Sequence, residues 1–188
     1  MVGSILVALW LVLMGLLRGP AFFMLTLSFT EVPEERSPLM LGLKSYQDIE
    51  TTTALLEKGG YSQWTLYNDY SDADGGESPV NFSRITVDPF VHFDCPSRLI
   101  LRFLNNRLAE AVVCPMQIQP YLHKLAKEKG IRFDPLRTTE GSSEQETFLP
   151  PYTRIHILPR ISQFPPCVVW SDTRLDWEEW VYSAKYED

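Results

Sequence analysis

The chain has 188 residues and a net charge of −7, with 24 acidic against 17 basic side chains. An acidic balance of this kind repels phosphate backbones, so nucleic acid is not an expected partner. The length is enough for one domain with a proper core, and 14 prolines break that domain into short elements.

At the N-terminus, Ile5 to Leu17 is an unbroken apolar run of 13 residues. It fits the core of a signal peptide, about 7–15 residues, and falls short of the roughly 20 that span a bilayer. Gly19-Pro20-Ala21 supplies small residues for cleavage after Ala21. No Lys or Arg precedes the run, however, and a second apolar stretch from Ala21 to Phe29 follows at once. Joined across Arg18, the two stretches would make an interrupted membrane helix, with the arginine costing about 2.5–3.5 kcal/mol near its middle. Residues 1–29 are therefore expected to be a signal peptide or a membrane anchor, touching the membrane through residues 5–29 if uncleaved. A buried core element is the remaining option. The bulk of the chain, 30–188, is expected outside the cytoplasm, exported or membrane-anchored, as a single α+β domain.

Within that domain, Ser45 followed by Asp48 has the spacing of a capping box, which predicts a helix from Tyr46 to Lys58 that stops at Gly59-Gly60. Gln63 to Tyr67 reads as a short strand, and Asn68 to Ser78 as an acidic loop. Arg84 to Phe93 is rich in β-branched and aromatic residues, with Pro89 forcing an edge or a bend. Arg98 to Leu104 and Arg107 to Cys114 flank Asn105-Asn106, the signature of a tight hairpin. Leu99, Leu101 and Phe103 would share a face with Leu108 and Val112 as partners.

A second helix is predicted over Pro120 to Lys129, ended by Gly130, with a thin apolar face of Leu122, Leu125 and Ala126 that suits a surface position. Residues 138–150, including the biased stretch TTEGSSEQE, are expected to be a mobile loop. Thr153 to Leu158 and Cys167 to Trp170 read as strands. Asp172 could cap a last helix from Thr173 to Lys185. Strands flanked by helices without regular βαβ alternation predict an antiparallel sheet with about three helices packed on it.

No motif carries a reaction with force. Each of Cys95 and Cys114 precedes a proline, and they fall near opposite positions of the hairpin, so a Cys95–Cys114 disulfide is a candidate in an oxidising compartment. Cys167 is then left over as core. His92 and Cys95 stand three apart, on opposite faces of a strand unless the chain turns between them. No metal-ligand spacing and no cofactor fingerprint occurs, and the loop Asn68 to Glu77 lacks the ligands of an EF-hand at its first and last positions. Asn81-Phe82-Ser83 matches the N-glycosylation acceptor pattern. Trp177, Trp180 and Tyr182 belong to an aromatic group that packs a core or, where exposed, docks a protein; Tyr182 is the better candidate for exposure.

The function expected from these features is a non-catalytic exported or membrane-tethered domain acting by protein binding. The alternatives are an exported hydrolase or thiol-dependent enzyme, its site assembled from Cys95, His92, His123 and Asp94, and a small accessory subunit of a membrane complex.

Overall fold

The computed structural model describes residues 32–69, 81–133, 145–158 and 165–175, and Arg36–Leu175 form one compact unit. The elements are α1 (Ile49–Lys58), β1 (Trp64–Asp69), β2 (Phe82–His92), β3 (Cys95–Leu104), β4 (Arg107–Pro115), α2 (Ile118–Lys129), β5 (Gln145–Leu149), β6 (Thr153–Leu158) and β7 (Cys167–Asp172). A third helix begins at Thr173. The seven strands form one antiparallel sheet in the order β1-β2-β3-β4-β7-β6-β5. Two meanders thus meet along the β4–β7 seam, where neighbours in space are not neighbours in sequence. The α+β expectation holds. The expected anchor helix lies outside the described residues, and none of the helices among those is long and apolar enough to cross a membrane.

Alternation sends every second side chain to one face, and the registers line these up across the sheet. Val87, Leu99, Val113, Val168 and Ile157 make one row, and Ile85, Leu101, Ala111, Trp170 and Ile155 the next. All ten are buried. Leu56 of α1 and Tyr121, Leu122 and Leu125 of α2 belong to the same core cluster.

The Asn105-Asn106 turn forms as expected, both residues having positive φ (50° and 59°), the backbone a two-residue hairpin needs. The register beyond it differs. Phe103 faces Leu108 while Arg102 faces Glu110, so Ala109 is an extra residue in β4. A one-residue bulge exchanges the faces of everything after it. Without it Glu110 and Val112 would point into the core; with it Ala111 and Val113 do, and Val112 moves to the other face beside Ile100. Pro89 sits where β2 has run past β1, whose last pair is Trp64 with Val87, so its missing N–H costs no bond on that side.

Three local expectations are corrected. Helix α1 begins at Ile49, capped by Asp48, whose carboxylate accepts from the Thr51 N–H at 2.6 Å. Ser45 is not the cap, because Tyr46 and Gln47 are engaged with Leu108 in a pair of backbone bonds of 3.0 and 2.7 Å. Helix α2 is no surface helix: Tyr121 and Leu125 are fully buried. Gln145–Leu149, expected within a loop, is the edge strand β5; residues 138–144 lie outside the described ones.

Candidate functional site

The face of the sheet away from α1 and α2 carries an open groove. Bulge-shifted Val112, with Ile100, Pro96, Val91, Met116 and Leu158, lines an apolar groove of about 900 Å³. Met116 is 83% exposed and Val91 52%, values that mark a solvent-facing rim of large apolar side chains. Arg84, Asp88 and Arg98 continue from this groove into a cleft of about 530 Å³ at the β1 edge, lined by Gln63, Trp64 and Tyr67. Arg98 donates from Nε and Nη2 to Asp88 Oδ2, at 2.8 and 2.7 Å. Both side chains are about half exposed, so the pair orients the rim more than it stabilises the fold. Arg84 lies over the Tyr67 ring, 4.8 Å from its centroid.

A disulfide closes one end of the groove, and it is not the expected one. Cys114 is bonded to Cys167, with Cα atoms 4.2 Å apart, and Cys95 is a free, buried thiol. The bulge explains the correction. It places Ser97 opposite Pro115 and Cys114 opposite Arg98, so Cys114 faces away from the core while Cys95 faces into it. On its other side β4 meets β7 with Val113 opposite Val168, and the next pair outward is Cys114 with Cys167. Pro115 and Pro166 lack the N–H groups that would extend this ladder. The covalent bond holds the seam where hydrogen bonds stop.

The proposed reactive set is only partly brought together. The chain does turn between His92 and Cys95: Phe93 and Asp94 form a hairpin turn, both with φ of 53°, and His92 and Cys95 are cross-strand partners. Asp94 points to solvent, its side chain 98% exposed. His123 is exposed on α2. None of Cys95, His92 and His123 lines the groove or the edge cleft. His92 is committed elsewhere. Its Nδ1 lies 2.9 Å from the Tyr121 hydroxyl, and its ring stacks on Phe93 with centroids 3.9 Å apart. Burial, helped by the charge of Lys129, lowers the His92 pKa to about 4. Burial also raises that of Tyr121. At neutral pH the imidazole and the phenol are therefore both neutral and share one hydrogen bond.

A second polar cluster joins the chain's ends of the unit. Asp172, fully buried, accepts from Ser45 Oγ (2.7 Å), Arg174 Nη2 (2.7 Å), Arg174 Nε (2.9 Å) and the Arg174 backbone N–H (3.0 Å). Burial raises its pKa, but these donors outweigh it and hold the carboxyl below its ordinary value. The Arg174 guanidinium also lies 4.0 Å from the Tyr152 ring centroid. Every carboxylate oxygen here is used within the fold, which makes the cluster a structural clasp.

Trp177, Trp180 and Tyr182 lie outside the described residues, as does the acidic loop beyond Asp69. Among the described residues no three His, Cys, Asp or Glu side chains converge as a metal site would require. Sequence reasoning missed the groove, because its lining depends on the extra Ala109 and on the β4–β7 pairing, neither of which leaves a local signal. No protein-family model matches the chain, and no curated protein matches it.

Proposed function

We propose that this chain is a non-catalytic domain of the cell envelope or extracellular space that binds an extended apolar segment of a partner protein along the groove. The groove itself carries the reading. It is open, lined by Ile100, Val112, Val91 and Met116, and built on a rigid sheet. The Cys114–Cys167 disulfide supports an oxidising compartment, in keeping with export or tethering through the apolar run at residues 5–29. The thiol-enzyme alternative draws on the cross-strand placement of His92 and Cys95, yet it requires a buried thiol to reach substrate. A small subunit of a membrane complex would use the same groove with a membrane-bound partner.

A photo-crosslinking side chain at position 116, in the full chain within its native cells, is expected to give a discrete protein adduct that Val112→Arg removes. Adducts indistinguishable from those made at exposed Lys127 would count against groove binding. Alkylation of quenched cells should leave Cys114 and Cys167 blocked until reductant is added. Free alkylation of both would remove the compartment.

A further inference from the structure

We propose that Asn81 is the acceptor of an N-linked oligosaccharide, transferred when the chain enters a compartment that performs this modification. The inference rests on the export reading above. Asn81-Phe82-Ser83 has a residue other than proline in the middle position and Arg84 behind it, and no other asparagine of the chain is followed by the acceptor pattern.

The structure adds what the pattern cannot. The chain has four asparagines, and three of them spend their side-chain oxygen inside the fold. Asn68 Oδ1 accepts from Ser83 Oγ (3.1 Å), Asn105 Oδ1 from the Asn81 N–H (2.8 Å), and Asn106 Oδ1 from the Ile49 N–H (3.1 Å). Asn81 uses only its backbone, its carbonyl accepting from the Asn105 N–H at 2.8 Å. Its side-chain amide makes no hydrogen bond among the described residues, and the residue is exposed at the start of β2. A glycan on Nδ2 therefore displaces no side-chain hydrogen bond of Asn81 among the described residues.

The hydroxyl that the transferring enzyme must read is on Ser83, which is 7% exposed in the fold and bonded to Asn68. Transfer consequently precedes the docking of β1 on β2, while the segment is still extended. The Asn81 Nδ2 forms a bond to the anomeric carbon of a lipid-linked oligosaccharide. The bond from that carbon to the lipid pyrophosphate breaks, the pyrophosphate leaves with the electron pair, and the amide loses one proton. Folding then leaves the sugar outside. Asn81 immediately precedes β2 (Phe82–His92), ten residues or roughly 30 Å of extended chain from Val91 at about 3.3 Å per residue, so the sugar stands at the end of the strand opposite the Val91 rim, with Arg84 the first groove residue along β2.

The test expresses the full chain in a eukaryotic secretory host in two forms, one with its own N-terminus and one behind an added cleavable export leader. The leader form is expected to carry one endoglycosidase-sensitive mass increment, mapped to the peptide containing Asn81. The increment should disappear in Asn81→Gln and persist in Ser83→Thr. A leader form that is protected from protease in sealed vesicles yet unmodified would overturn the assignment. Modification of the leader form alone, with the native form exposed to protease, would uphold Asn81 as acceptor while removing the export reading.

Discussion

Cys114 and Cys167 are covalently joined across the β4–β7 seam, 53 residues apart in sequence and opposite each other in register. This seam unites the meander β1–β4 with the meander β5–β7. Flanking prolines deny it further backbone bonds at this end, so the disulfide holds the seam there and forms part of the groove lining.

Replacing Cys114 and Cys167 together by alanine is expected to cost about 2–4 kcal/mol, chiefly through the unfolded chain that is no longer cross-linked. Urea unfolding of the variant should coincide with that of the reduced wild type. Cys95→Ala should keep the intact-mass signature of one disulfide. A linked peptide containing Cys95 would contradict the pairing.

Asp172→Asn removes the charge on which Ser45 and Arg174 converge. A loss of about 1.5–3 kcal/mol is expected, the worth of hydrogen bonds to a charged group. Because the folded carboxyl titrates below its unfolded value near 3.9, its stabilisation is complete above about pH 4 and is lost as the pH falls below that. The acid limb of the wild-type unfolding curve should therefore be steeper than that of the variant.

His92 behaves differently. Its unfolded form takes a proton near pH 6.5 and its folded form only near pH 4. The unfolded state binds more protons in that interval, so stability falls as pH drops from about 6.5 to about 4 and flattens below. NMR titration of the His92 ring should give a midpoint near the lower value. Tyr121→Phe, which removes the hydroxyl partnered with His92 Nδ1, should shift this midpoint and cost about 0.5–1.5 kcal/mol.

The burial of α2 is checked by Leu125→Ala. As a fully buried core residue, its truncation should cost about 2–5 kcal/mol in chemical denaturation. A loss below about 0.5 kcal/mol, typical of surface positions, would return α2 to the surface.

The sequence by itself determined what depends on neighbours along the chain. Alternation at Leu99, Leu101 and Phe103, the Asn105-Asn106 turn and the Gly130 stop of α2 are all encoded within a few residues, and each forms as read. Tertiary structure decided what depends on pairing at a distance. The extra Ala109 moved Val112 out of the core, β7 rather than β3 supplied the partner of Cys114, and the pairing of Tyr46 and Gln47 with Leu108 kept Ser45 from capping α1, leaving its hydroxyl to Asp172. Tyr121, not among the apolar positions read for α2, became core because the sheet gave it Trp170 and His92 to pack against. For Val112 and Cys114 the physical reason is one: a single-residue change of register costs little locally, yet it reverses which face, and hence which partner, every later side chain of the strand meets. Ser45 and Tyr121 were decided by partners far away in sequence, which no local pattern encodes.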